Sequence, residues 1–359
     1  MSLRARPLSL CASLAWFALT LPGLAHVDAV RMSLAQLFLE SEIVVLARIE
    51  AVADRNLGEE GQQELLEVVT ATVVEQFKGE PAPQVDFFLD AHGPAHYQAG
   101  DIAVLFLEKP GGQHPLSRYV AQGKLDYISQ QVRNTEHIVA TPELADYQWL
   151  LGTYSESLSG RAPSDISQTK ESILLRMLDS ASPALVESAL IDWQNTGAGL
   201  RFDDRNIKDL IAMTREDGRP INLRLAILRT MASQQLVGPE AWDALFAQNS
   251  GQELVSVIRS TRGFENNYFA PALQALLDSP SEPVAETAAR SLGHPVYRGS
   301  EAAVGTLLES DSQRLNYAAI AALIGISSQR SQTILQEAGR DHPDEKVRRQ
   351  IDARLGLQD

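Results

Sequence analysis

Apolar residues are distributed along this chain in three textures. The first is an unbroken run, PLSLCASLAWFALTLPGLA, from Pro7 to Ala25. The second consists of short segments rich in β-branched residues: EIVVLARIEAV, ELLEVVTATVVEQFKG, QVDFFL, IAVLFL and RYVAQG. Turn-forming pairs such as Gly100-Asp101 and Pro110-Gly111 separate them. Segments of that length and composition predict strands, about five or six of them, in a small, mostly antiparallel sheet curled into a barrel. A short helix precedes the strands in SLAQLFLESE, with Ser33 as its N-cap and Leu34, Leu37 and Phe38 on one face. After the strands, TPELADYQWLLGTYSESL reads as an amphipathic helix opened by Thr141-Pro142, and SGRAPSD, Ser159 to Asp165, reads as a domain boundary.

The third texture begins beyond Asp165, where strand signals stop and apolar residues recur at steps of four. The stretch DSPSEPVAETAARSLG, Asp278 to Gly293, returns in altered form as DHPDEKVRRQIDARLG, Asp341 to Gly356. Asp278, Val284, Ala288 and Leu292 correspond to Glu309, Leu315, Ala319 and Leu323, and again to Asp341, Val347, Ile351 and Leu355. Asp179, Leu185, Ala189 and Trp193 fit the same frame, and Asp217, Leu223, Ile227 and Met231 fit it more loosely. Each acid follows a short apolar helix, so the pattern predicts a helix, a tight turn and a second helix, repeated about every 30–40 residues. The acid is placed to cap the second helix, and the prolines at 280, 283 and 343 forbid continuation of the first. The segment AWDALFAQNSGQELVSVIRS is a degenerate copy. No single pair can bury its apolar stripe alone, so the pairs must stack. Ala288 and Ala319 share a frame position at a close helix approach, and Ala289, about 100° further round its helix, is expected to tolerate a large side chain.

Repetition of Asp…Val…Ala…Leu-Gly resembles HEAT or armadillo-type repeats, over roughly 165–356 and about six copies. The β-rich part resembles the OB-type barrels of netrin-like and tissue-inhibitor-like proteins, through its order of helix, SEIVVLARIEAV, a long second strand ending FKG, and AGDIAVLFLE. Family members often carry N-terminal cysteines that this chain lacks, so the likeness implies a fold and not protease inhibition. The expected class is multidomain β + α: a small OB-like β barrel followed by a HEAT-like α-solenoid. The expected limits are 1–25 for a signal peptide, 26–140 for the OB-like domain, 141–164 for a linker helix and boundary, and 165–359 for the repeats.

Two arginines, Arg4 and Arg6, precede the first apolar run, and Pro22-Gly23 and small residues end it. That is the pattern of a secretory signal peptide, cleaved after Ala25 or after Ala29, and the run is too short for a spanning helix of about 20 residues. The single cysteine, Cys11, lies inside it. The mature chain would then be exported, periplasmic or extracellular, without disulfides, soluble, and held by its core alone. The formal charge is −15, or −17 once the two arginines are removed, which disfavours nucleic acid as a partner.

Catalytic signatures are missing from the sequence: there is no His-Glu-x-x-His, no Gly-x-Ser-x-Gly, no phosphate-binding or dinucleotide loop. No cofactor is expected, and the balance favours a binding protein over an enzyme. In the repeat frame, the position eight after the acid holds Glu187, Glu286, Tyr317 and Arg349, and Arg290 and Asn316 lie on the same helices. Glu286, Arg290, Asn316, Tyr317 and Arg349 are therefore candidates to read a protein or peptide on a shared surface. The alternative centres on the β domain. Cleavage after Ala25 would leave His26 as an N-terminal amine and imidazole together, and His92 or His96 could complete a copper or zinc site.

Overall fold

A computed structural model describes residues 32–56, 65–80, 82–90, 97–111, 116–130, 136–158, 170–196, 200–264 and 266–356. The N-terminal apolar run, the segment 159–165 and His26, His92 and His96 lie outside them. Two compact units emerge, one within 1–167 together with 180–191, the other within 168–179 together with 192–359.

The first unit is built on six strands: β1 (Ile43–Asn56), β2 (Leu65–Lys78), β3 (Gln84–Asp90), β4 (Ile102–Leu107), β5 (Tyr127–Gln130) and β6 (Glu136–Ile138). They lie side by side in the order β5-β3-β2-β1-β4-β6. Every pairing is antiparallel except that of β3 with β5, which is parallel. The sheet does not close into a barrel; among the described residues an isolated bridge, Glu108 to Ile128, links the residue after β4 to β5. Alternation along β1 sends Val45, Ala47 and Ile49 into one core with Val69, Val85, Phe87 and Leu105. Val44 and Leu46, on the opposite face, are buried as well.

Helix α1 (Leu34–Glu40) begins at a complete capping box: the Ser33 hydroxyl accepts from the Gln36 N–H, and Gln36 returns a bond to the Ser33 N–H. Its Leu34 N–H donates to Ser188 Oγ at 2.8 Å. At the other end the Lys78 ammonium donates to the carbonyls of Phe38 and Leu39 at 2.8 and 2.7 Å. A cation there satisfies orphan carbonyls and complements the helix dipole. RYVAQG is a correction: it forms helix α2 (Ser117–Ala121) and its exit rather than a strand. Leu116, Tyr119 and Val120 have helical spacing and pack with Val68, Leu125 and Ile128, which decides the conformation. Helix α3 (Leu144–Leu158) follows a 3-10 turn over Thr141–Glu143 and lies against β2 and α1.

Helices then continue to the end of the described chain: α4 (Lys170–Asp179), α5 (Pro183–Thr196), α6 (Asp204–Arg215), α7 (Ile221–Ser233), α8 (Asp243–Gln248), α9 (Gly251–Ser260), α10 (Ala270–Ala275), α11 (Glu282–Leu292), α12 (Glu301–Gly305), α13 (Gln313–Ile326), α14 (Gln329–Asp341) and α15 (Glu345–Leu355). The second helices of successive pairs pack in order, α7 on α9, α9 on α11, α11 on α13 and α13 on α15. One apolar core runs through them from Leu225 to Ile351, and the degenerate copy supplies Trp242, Leu245, Val255 and Ile258 to it. Nearest-neighbour stacking of this kind gives the solenoid-like character of the helical region.

The frame acids do not cap the second helices. Capping falls three residues later, at Ser312, which accepts from the Leu315 N–H, and at Asp344, which accepts from the Lys346 N–H at 2.8 Å. The residue immediately after the acid fixes the turn instead. Ser180, Ser279 and Ser310 each accept from the N–H two residues on at 3.2 Å, and His342 does the same through Nδ1 at 3.0 Å. The carbonyl before the acid is also used: Leu178 O accepts from Arg219, and Leu308 O accepts from His342 Nε2 at 2.8 Å. Acid and turn residue thus recur as a local unit in DSAS, DSPS, ESDS and DHPD, and the fourth residue caps through its side chain in the last two, whereas Ser281 makes no cap bond.

Ala288 and Ala319 are fully buried, and so is Ala289, at 0% exposure, which overturns its expected tolerance of a large side chain. The reason is that α11 has neighbours on two sides, α9 and α13, so its buried arc is wider than one stripe. The end of α11 meets α13 closely at Gly293 and Gly325. A Cβ on Gly325 would lie 2.1 Å from the Gly293 carbonyl oxygen, and one on Gly293 would lie 2.8 Å from Ala322 Cα. Backbone meets backbone there, and neither can yield cheaply.

Ala319→Arg should force an unpaired charge into this seam, costing several kcal/mol, with about 1–3 kcal/mol more from overpacking. Ala321→Arg, on the exposed side of the same helix, should change stability by less than about 0.5 kcal/mol. Hydrogen exchange should show loosening across α12–α15 in the first variant and a native pattern in the second. Equal behaviour of the two variants would contradict the packing described. Gly325→Ala should cost about 1–3 kcal/mol in chemical denaturation.

Candidate functional site

The five residues expected to share a surface are not all on one. Glu286 bridges α11 and α13: its carboxylate accepts from Arg290 Nε at 2.9 Å and from Arg314 Nε. Burial pushes the Glu286 pKa up, but the hydrogen bonds and charges of the two arginines outweigh this and hold it below the ordinary carboxylate range. Asn316 lies inside, 2% exposed, with its Oδ1 unpartnered among the described residues, so it does not reach that surface. Tyr317 is half-buried against the core, its hydroxyl accepting from Gln313 Nε2 at 2.9 Å. Arg349 is exposed and ion-paired with Glu345 one turn earlier. Stacking brought Glu286, Arg290 and Arg314 together, and the cluster's partners are one another.

A second constellation lies at the C-terminal ends of three consecutive second helices. A cleft of about 670 Å³ is walled by Gln194, Arg229, Thr230, Trp242, Arg262 and Phe264, among others. A second, of about 430 Å³, is walled by Arg262, Phe264, Arg290, Ser291, His294 and Tyr297. They share Arg262, Gly263 and Phe264. The two clefts therefore adjoin at these three residues, in a row along the ends of α7, α9 and α11. No Asp or Glu occurs among the described residues that line either.

Aromatic rings make the floor rigid. Trp242 is fully buried, its Nε1 donating to Ser260 Oγ at 2.8 Å, and Ser260 donates onward to the Val257 carbonyl. Phe264 meets the Trp242 ring edge-on at 4.9 Å and Phe269 at 5.3 Å, both favourable geometries for aromatic pairs. Tyr297 is buried in the second cleft, and burial raises its pKa. The Ser291 hydroxyl is buried with no hydrogen-bond partner among the described residues.

Three arginines stand over this floor. Arg290 is tied to Glu286, whereas the side chains of Arg229 and Arg262 have no hydrogen-bond or ion-pair partner among the described residues. Cations at helix C-termini are favoured by the dipole, but several last-turn carbonyls here are already occupied. Thr230 O accepts from the Gln234 N–H, Ile258 O from Thr261, Arg259 O from Arg262, and Arg290 O from Gly293. The guanidinium groups of Arg229 and Arg262 donate to none of these carbonyls among the described residues.

The sequence held a signal for this groove. Twelve residues after the frame acids Asp217 and Asp278 stand Arg229-Thr230 and Arg290-Ser291, and the degenerate copy between them has Arg259-Ser260 near the end of α9. The other three copies have Ile191, Ala321 and Ala353 in place of the arginine. Helix packing does not demand arginine there, since half of the copies do without it. Thr230, Ser260 and Ser291 all line the clefts. In the α9 copy, Arg262 is the arginine that reaches the wall.

No group of three His, Cys, Asp or Glu among the described residues could hold a metal ion. Among the described residues no helix is long and apolar enough to cross a membrane.

The depressed Glu286 pKa makes a stability contribution with a definite sign. It is present above the unfolded carboxylate value, about 4.3, and is lost as pH falls through the lower folded value. Glu286→Gln should therefore cost about 1 kcal/mol in urea denaturation at pH 7, and the difference from the unaltered protein should shrink as the carboxylate is protonated in acid. A difference that persisted in acid would assign the effect to packing rather than charge.

Residues 269–354, from the start of α10 to the last turn of α15, match the family of HEAT repeats. No curated protein matches the chain. The helical region of this protein carries HEAT-like repeats.

Proposed function

We propose that this is an exported protein that binds another polypeptide along its repeat array and performs no chemistry of its own. What supports the reading is one feature: two adjoining clefts along three successive repeats, lined by aromatic residues and by Arg229 and Arg262, which have no side-chain partner among the described residues. Repeat arrays commonly serve as extended binding surfaces, and a groove that spans several copies suits an extended ligand better than a compact one. Export rests on the N-terminal pattern of arginines, apolar run and small residues.

The β unit fits the proposal as an OB-like module. Support comes from the order β3-β2-β1-β4, from β5 lying parallel beside β3, and from the Glu108–Ile128 bridge that returns β5 to the end of β4. Copper or zinc binding by His26, His92 and His96 remains a separate proposal for residues outside those described, and no observation favours it over polypeptide binding.

A photo-crosslinking residue at Arg262 tests the proposal directly. Irradiated in the protein's own envelope or culture fraction, it should yield an adduct with a polypeptide. The same group at Arg349 should give little. Absence of any polypeptide adduct at 262, with the protein folded, would overturn the proposal.

A further inference from the structure

Resting on that reading, we infer that the groove takes an acidic polypeptide segment, bound extended across the ends of α7, α9 and α11. Its carboxylates meet Arg229, Arg262 and Arg290, and its apolar side chains lie on Phe264 and Tyr297. Charge complementarity carries the inference. The chain as a whole has a formal charge of −15, yet the described walls of both clefts carry arginine and no acid. A local reversal of sign within an acidic protein draws anionic segments and repels the rest of its own surface.

Periodicity points the same way. Three consecutive copies each place one arginine on the cleft walls, Arg229, Arg262 and Arg290, the first and last from the recurrent Arg-(Ser/Thr) pair and the middle one from the turn after α9. Arginine offers a planar fork of donors that matches a carboxylate bidentately. Arg229 and Arg262 have no partner among the described residues that such a ligand would have to displace. Ser291 adds a buried hydroxyl without a partner in the second cleft. A ligand that alternates acidic and apolar residues presents the two kinds of side chain to opposite faces when extended. One face then meets the arginines and the other the aromatic floor.

Selection of displayed dodecapeptides on the purified protein is the test. Selected peptides should be enriched in Asp and Glu over the starting pool. Arg229→Glu and Arg262→Glu should each weaken their binding at least tenfold, with unchanged melting curves because both side chains are exposed. Arg262→Lys should retain part of the affinity, Arg349→Glu should change it by less than twofold, and raised salt should weaken it. Neutral or basic peptides, or acidic ones indifferent to Arg229→Glu and Arg262→Glu, would overturn the inference. If non-acidic peptides bind and are lost on Phe264→Ala, polypeptide binding stands and the acidic partner falls. If no peptide is selected while heparin binds and is lost on Arg262→Glu, both readings fall in favour of a non-peptide polyanion.

Discussion

The helical region depends on how closely two backbones can approach at Gly293 and Gly325. With 2.1 Å between the Gly293 carbonyl oxygen and any Cβ at 325, no larger residue fits without moving a helix. That approach limits the distance between α11 and α13, and the fully buried Ala288, Ala289 and Ala319 keep side chains small where these helices meet their neighbours. Small residues here are a geometric requirement of stacking, because each helix pair can bury its apolar stripe only against the next. Turn residues hold the same register by different means. Ser180, Ser279, Ser310 and His342 fix successive turns, and His342 also reaches the preceding pair through Leu308 O.

The groove follows from this stacking. When second helices stack in register, their C-terminal ends fall in a row, and whatever the sequence places twelve and thirteen residues beyond the frame position is presented along that row. Thr230, Ser260 and Ser291 line the clefts with Arg229 and Arg290, and the turns that follow contribute Arg262, Phe264 and Tyr297. Rigidity comes from Trp242, which belongs to the copy least faithful to the repeat frame and is anchored through Ser260. Loss of the repeat pattern in that copy is thus compensated by an aromatic cluster of Trp242, Phe264 and Phe269.

Much of the architecture was legible in the residues, because periodicity two and periodicity near four are direct consequences of strand and helix geometry. The Ser33 cap, the strands from Ile43 to Leu107 and the helix pairs follow from pattern alone. RYVAQG misleads because a six-residue apolar segment fits either period, and only its packing on Val68 and Ile128 decides for helix. Ala289 and Asn316 mislead for a related reason. A helix with neighbours on both sides buries residues that a single-stripe reading sends outward. An acid at the turn is a natural cap by residue type, but in α13 and α15 the cap is Ser312 or Asp344, three residues later, a position overshadowed by the stronger apolar signal. The groove was harder still, since Arg229, Arg262 and Tyr297 are separated in sequence and meet only through stacking. Its one sequence trace, the recurrent Arg-(Ser/Thr), is visible only after the copies are aligned.

Hydrogen exchange of the intact protein with and without its captured polypeptide bears most directly on the claim that three helix ends form one binding surface. Slowed exchange should appear together at 229–236, 260–264 and 290–298, the ends of α7, α9 and α11. Protection limited to one of these ends, or placed instead around Glu286, Tyr317 and Arg349 or in the β unit, would contradict it.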